Sequence, residues 1–260
     1  MPKVSIIVPI YNGEHYLHEC LTSIKLQDFP DFECILIDDG STDSSLSICE
    51  KFMASDNRFV VVSQRNSGVT KARFKGVLES KGAWIMFVDC DDLLAPNALS
   101  LLLEDSSECD LVIGHSEMFP MAFKWPYSAK NECYSRDEYL RRLVAKRIHG
   151  GPWARLFNRE LFNDTVFDIP RTVVLGEDYI MNIRICQKLR CVRMIDQTVY
   201  KYRYLGHDYN QNLALLLQRM KHELQSLIGL RISIFSLLFL STLTVLTFLK
   251  RVFKVIVGKL

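Results

Sequence analysis

Glu33-Cys34-Ile35-Leu36-Ile37-Asp38-Asp39-Gly40-Ser41-Thr42-Asp43, residues 33–43, changes character in its middle. The first five residues are a strand-length run, apolar from Cys34 to Ile37, and the next six are carboxylates and turn formers. A strand with apolar residues at successive positions buries both faces, which is the mark of a parallel sheet covered by helices on each side. Working outward, the same alternation recurs. Val4–Tyr11 is a continuous apolar run, and Glu14–Leu26 has helical spacing at Leu17, Leu21 and Ile24. After the 33–43 unit a helix is expected beyond Asp43, then a strand over Phe59–Ser63 and a helix over Val69–Ser80. A strand over Ala83–Val88, a helix from Pro96 and a strand over Asp110–Gly114 follow. Strands separated by single helices predict an α/β fold with a mostly parallel sheet. Right-handed crossovers then gather every loop that follows a strand along one sheet edge, where such folds bind ligands.

Beyond Gly114 the pattern loosens. Residues 118–127, MFPMAFKWPY, read as an irregular strand or loop, and Ser135-x-x-Glu138 is a capping box opening a helix to about Lys146. His149–Asn158 reads as a loop and Glu177–Lys188 as a helix, with no internal repeat.

The chain has 260 residues, 48% hydrophobic and 24% charged, with 12 Gly and 8 Pro, which excludes disordered and collagen-like classes. Its net charge of +2 argues against a nucleic-acid partner. That figure hides an asymmetry: residues 201–260 hold 9 Lys and Arg against 2 Asp and Glu, leaving 23 against 28 of the 32 and 30 for residues 1–200. The 8 Cys show no C-x-x-C and no paired zinc spacing, so reduced core thiols of a cytosolic protein are expected. Met1-Pro2-Lys3 runs directly into VSIIVPIY, without the plan of a secretory signal.

Chemistry concentrates at four strand ends: Pro9-Ile10-Tyr11-Asn12, Asp38 to Asp43, Arg65-Asn66-Ser67-Gly68 leading to Arg73, and Asp89-Cys90-Asp91-Asp92. Two carboxylates spaced D-x-D at a strand tip can grip one divalent cation and leave positions open for phosphate oxygens. Taken singly, Asp38-Asp39 could be turn and cap chemistry, Asp89–Asp92 could cap the following helix, and Glu177-Asp178 could be first-turn acids favoured by the helix dipole. Neither G-x-G-x-x-G after the first strand nor G-x-x-x-x-G-K-[ST] is present, so a dinucleotide fold or P-loop is not expected.

PIYN, DDGSTD, N-x-G-x-x-x-A-R, D-x-D-D and a downstream G-E-D, in this order, resemble family 2 glycosyltransferases of the GT-A (Rossmann-like) fold. The likeness covers about residues 3–205 and implies inverting, non-processive transfer of a sugar from a nucleoside diphosphate sugar, a UDP-sugar, to an acceptor hydroxyl, with Mn²⁺ or Mg²⁺ as cofactor. By the same resemblance Pro9 and Tyr11 flank the base, with Asp38, Asp39 and Arg73 bonding it. Asp89 binds ribose or shares the metal held by Asp91, with His207 as a further candidate ligand. Asp178 is the general base with Glu177 beside it, and Trp153 and Arg155 stand near the acceptor. Two departures are visible: Phe74 follows Arg73 where the family usually continues A-R-N, and Arg155 replaces a common Lys.

Residues 206–231 predict an amphipathic helix. Residues 232–260 begin with 18 uncharged positions, Ile232–Leu249, six of them Ser or Thr, flanked by Arg231 and Lys250-Arg251. At ~1.5 Å per residue these reach ~27 Å, close to the ~30 Å of a bilayer core. The expectation is a tail that associates with membrane, spanning or lying in plane, on a domain at the cytoplasmic face. A glycan or lipid-linked acceptor of surface polysaccharide synthesis would suit that site. Two other classes fit parts of the pattern: a haloacid dehalogenase-type phosphohydrolase using Asp89-x-Asp91, and a non-catalytic nucleotide-binding relative.

Overall fold

A computed structural model describes residues 1–104, 106–119, 123–124, 131–173, 176–205, 213–230 and 234–257. The amino-terminal half alternates as the sequence predicts. β1 (Val4–Ile10), α1 (Glu14–Lys25), β2 (Phe32–Asp38), α2 (Ser45–Ser55), β3 (Phe59–Ser63), α3 (Val69–Glu79) and β4 (Trp84–Phe87) follow in turn. The two-residue β5 (Leu93–Leu94) precedes α4 (Ala98–Glu104). Then come β6 (Leu111–Phe119), β7 (Phe123–Lys124), β8 (Glu132–Ser135), α5 (Arg136–Val144), β9 (Arg155–Asn158), α6 (Asp164–Phe167), α7 (Glu177–Ile185) and β10 (Cys191–Arg203).

All ten strands join one sheet in the order β3-β2-β1-β4-β9-β6-β10-β5, with β7 paired to β6 and β8 to β10. β3, β2, β1 and β4 are parallel. β9 runs antiparallel to both β4 and β6, which restores the original direction for β6 and its parallel neighbour β10. Each apolar strand feeds both faces, because side chains alternate along it. Ile6, Val8 and Ile10 of β1 enter one core with α1, α2 and α4, while Ile7 enters the other with α3, α5 and α7.

Several elements depart from expectation. The last four residues of the loop expected over His149–Asn158 form β9, because Arg155, Leu156 and Phe157 are buried between two neighbouring strands. The strand expected to stop at Gly114 runs on to Phe119. The thirteen-residue β10 was not anticipated, since a register shift between Met194 and Thr198 breaks its alternation. Of the 118–127 stretch, residues 120–122 and 125–127 lie outside the described residues.

The carboxyl-terminal segment forms α8 (Leu213–Ile228) and α9 (Ile234–Val257). Among the described residues no helix is long and apolar enough to cross a membrane. Nor does α9 lack a place on the body, as its sequence suggested. Leu240 and Thr244 are buried, and Leu237 and Leu243 pack onto the core that contains Leu140, Leu143 and Leu227. Its other face leaves Leu238, Phe239, Leu246 and Leu249 exposed.

Candidate active site at the carboxyl edge of the sheet

The loops after β1 and β2 are stitched together by polar side chains. Asn12, in the left-handed region at φ 53°, accepts the Thr42 amide on Oδ1 at 2.8 Å, while its own amide donates to Ser41 Oγ. Asp43 accepts the amides of Glu14 and Ser45, each at 3.0 Å, and so ties the first residues of α1 and α2 together. These bonds hold the Asp43 carboxyl below the usual carboxylate range against some burial. Asp38 accepts the Ser41 amide at 3.1 Å, which is turn chemistry. Asp39, almost wholly buried, accepts from Gln64 Nε2 and from the Ser67 and Gly68 amides at 2.7–2.8 Å, fixing the loop that leads into α3.

α3 lies unusually close to β1, because a Cβ on Gly76 would stand 2.3 Å from Ile7 Cγ2. That approach carries Arg73 beneath the sheet edge, where it is only 3% exposed. Its Nη1 donates to Asp178 Oδ1 at 2.5 Å and its Nη2 to Asp89 Oδ1 at 2.8 Å. One guanidinium therefore joins the D-x-D loop to the first turn of α7, 105 residues beyond Arg73 in sequence. The helix itself is held by Asn182, whose Nδ2 donates to the Gly150 carbonyl at 3.0 Å and whose Oδ1 accepts from Tyr139.

This cluster has more anions than cations. Glu177, beside Asp178, is pushed up to about 8, first by burial and then by the Asp178 charge. Asp178 is raised by burial, with Arg73 opposing that rise. Arg73 itself is raised above its ordinary value by Asp178, Asp89 and Glu177, against its burial. The fourth acid of the D-x-D-D run does a different job. Asp92 accepts from Tyr200 Oη at 2.8 Å and from the Arg203 amide at 2.7 Å, and Tyr200 Oη also accepts the Asp89 amide. Burial and the Asp89 charge push Asp92 up to about 8.

A cavity of about 530 Å³ opens on this edge, lined among others by Pro9, Tyr11, Asp39, Asp89 and Asp91. Tyr11 is 53% exposed at its side, an aromatic face available for stacking. Asp89 and Asp91 present carboxylates, the donor type preferred by Mg²⁺ and Mn²⁺. Among the described residues no group of three His, Cys, Asp or Glu ligand atoms converges there. A second cavity, about 310 Å³, shares Gly68, Val69 and Arg171 with the first and reaches Glu177.

Arg171 was not singled out by sequence. It lies in both cavities and donates to Asn66 Oδ1 at 2.5 Å, and no spacing pattern links two residues 105 positions apart. Tyr200 and Arg203 were missed for the same reason. Trp153 and Arg155 are both buried and line neither cavity. Trp153 stacks between His149, Tyr200 and Tyr202, and the Arg155 guanidinium donates to the carbonyls of His149 and Gly151, closing their loop. His207 lies outside the described residues.

The sheet order, the carboxylates on one edge and the open cavity define an α/β protein with a polar site at the carboxyl ends of its strands, and comparison with known proteins places it in a family. The sequence profile of glycosyl transferase family 2 matches residues 5–166, and the chain belongs to that family. Membership removes the phosphohydrolase reading of Asp89-x-Asp91. Glycosyltransferase GlyG of Streptococcus pneumoniae serotype 4 is 43% identical over 180 residues, covering 63% of this chain and 59% of that protein. EpsH of Bacillus subtilis strain 168 is 30% identical over 230 residues, covering 86% and 65%. The chain thus spans less than two thirds of the length of these relatives. Among solved structures, S. aureus TarS 1–349 in complex with UDP-GlcNAc matches with a TM-score of 0.76 at 20% identity, covering 94% of this chain and 71% of that one. Mannosyltransferase PcManGT from Pyrobaculum calidifontis, in complex with GDP-Man and Mn²⁺, matches with a TM-score of 0.54 at 19% identity, covering 87% and 63%. Both likenesses establish the shared GT-A-like fold.

Proposed function

We propose that the chain is an inverting, non-processive glycosyltransferase that moves a hexosyl or N-acetylhexosaminyl group from a UDP-sugar to a hydroxyl of a glycan or lipid-linked acceptor. The observation that carries this reading is the Arg73 bridge, which sets the donor-side Asp89 and the candidate base Asp178 on one guanidinium beside an open cavity. Tyr11 stacks on the base, and Asp39 stands at the cavity wall near the base edge. Asp178 accepts the acceptor proton as that oxygen bonds to the anomeric carbon and the bond from that carbon to the diphosphate oxygen breaks. Arg73 keeps Asp178 oriented, and its charge favours the ionised form that a base requires. Glu177 stands beside it with its pKa pushed up by burial and by the Asp178 charge, and in its protonated form it can donate a hydrogen bond to a sugar oxygen. Asp91 with Asp89 would hold a divalent cation, which when bound would neutralise charge on the diphosphate leaving group.

The exposed apolar face of α9, followed in sequence by Lys250, Arg251, Lys254 and Lys259, supports in-plane association with an anionic membrane at its cytoplasmic face. The EpsH and GlyG likenesses support a role in surface glycan assembly only by analogy of family.

The test is turnover of a panel of nucleotide sugars with Mn²⁺ or Mg²⁺ by the wild type and by Asp91→Ala. Metal-dependent release of UDP, lost in the variant, is expected. A chain that neither binds nor turns over any donor is a non-catalytic relative, and the proposal fails.

A further inference from the structure

Cys109, Cys133 and Cys191 are far apart in sequence and were expected to be unrelated core thiols. The fold brings their sulfurs together, all three Sγ atoms lying within 4.8 Å of one another. Among the described residues this is the one group of three or more His, Cys, Asp or Glu side chains whose ligand atoms converge in this way. We propose that these three thiols form a binding site for a thiophilic d¹⁰ cation, Zn²⁺ foremost, separate from the carboxylate site of the transferase reaction.

The geometry comes from the sheet. Cys191 opens β10, and Cys109 stands two residues before β6, the parallel neighbour of β10. The Asp110 amide donates to the Cys191 carbonyl at 3.1 Å, locking the two strand starts together. Cys133 comes from β8, antiparallel to β10, with Arg193 opposite Cys133 and Ser135 opposite Cys191. Asp110 accepts the Arg190 amide at 2.8 Å and its guanidinium at 2.6 Å, which anchors the same corner. The backbone is thus fixed before any cation arrives, so binding requires only side-chain rotation.

Zn–S bonds of about 2.3 Å in a tetrahedral site hold sulfurs about 3.8 Å apart, a spacing within reach of the present cluster. Three thiolates select soft or borderline metals over Mg²⁺, whose preference is for oxygen. A positive charge already stands at the cluster, since Arg193 Nη1 donates to Cys133 Sγ at 3.4 Å. Cys109 is buried, Cys191 half-buried and Cys133 exposed, so the site opens to solvent on the Cys133 side, where water can complete four-coordination. β6 and β10 run parallel to β4, so their starts lie on the amino edge, opposite Tyr11, Asp39 and Asp89. A cation there would staple β8 and the start of β6 to β10, the strand that carries Tyr200 and Arg203 toward the active site.

The test uses the whole chain, reduced and freed of metal by chelation, titrated with Co²⁺ as a spectroscopic probe and then with Zn²⁺. One Co²⁺ per chain with a sulfur-to-cobalt charge-transfer band in the near ultraviolet is expected, and Zn²⁺ should abolish the band. The band should persist in Asp91→Ala and disappear in Cys133→Ser, whose exposed position tolerates the change. Zn²⁺ at about a hundred times its Kd should raise the Tm of the wild type by about 5–10 °C. Zn²⁺ should also shield Cys133 from alkylation, a readout independent of any variant. No charge-transfer band in the wild type, or an undiminished band in Cys133→Ser, overturns the proposal. A reduced chain that ignores Co²⁺ but forms a disulfide among these cysteines on mild oxidation overturns it in favour of a redox pair.

Discussion

Two groups of carboxylates face the same sheet edge and are built in opposite ways. At the end of β2, each of Asp38, Asp39 and Asp43 accepts one or more hydrogens from backbone amides or from the Gln64 side-chain amide. At the end of β4 and the start of α7, Asp89, Asp178 and Glu177 crowd around a single buried guanidinium. The first group is satisfied by the chain's own donors, which is how a scaffold is made rigid. In the second, burial and mutual repulsion raise Glu177 and Asp178, so the site is left short of positive charge. Acids thus serve as fasteners in one loop and stand crowded and under-compensated in the next, and the difference is set by what donates to them.

The contrast can be broken most severely at Asp178. Asp178→Asn should lower transfer by roughly 10³-fold while leaving donor affinity within a few-fold, measured by initial rates and by calorimetric titration with UDP. Arg73→Lys ranks next. An ammonium lacks the planar two-nitrogen fork that serves Asp178 and Asp89 separately, so transfer should fall roughly 10²-fold, with stability reduced by about 3 kcal/mol in denaturant unfolding because the buried bridge is left incomplete. A smaller effect is the pH dependence of stability. Glu177 holds its proton more tightly folded than unfolded, so its contribution is complete below about pH 4.5 and is lost as pH rises toward about 8. Thermal unfolding of the metal-free chain should therefore weaken across that window, and Glu177→Gln should flatten the slope. In the fastening group, Asp43→Ala should cost about 1–2 kcal/mol through two lost hydrogen bonds from first-turn amides, with transfer per folded molecule unchanged.

How much of this was legible in the sequence divides at about residue 105. Up to there, continuous apolar runs such as Val4–Ile10 and Phe32–Asp38 declare buried parallel strands, and the helix ends fall within a few residues of expectation. Beyond it, β9 is four residues long and begins with a buried arginine, and β10 is broken by a register shift, so neither shows a clean period. The candidate site was legible as residue types at strand ends, but its wiring was not. No pattern connects Arg73 to Asp178, Tyr200 to Asp92 or Arg171 to Asn66, because those pairings are created by strand order. Arg155 and Trp153 illustrate the reverse: their stretch resembles a family segment near the acceptor pocket, while the fold spends both side chains on packing and on closing the 149–153 loop.

The central claim is that Asp178 is a reagent and Asp43 a fastener. The measurement that tests it most directly is the transfer rate per folded molecule of Asp178→Asn set beside that of Asp43→Ala, with UDP-sugar binding determined on the same samples. The account predicts donor binding in both variants, transfer near the wild-type rate in Asp43→Ala, and transfer all but abolished in Asp178→Asn. Near-normal transfer by a correctly folded Asp178→Asn would contradict it.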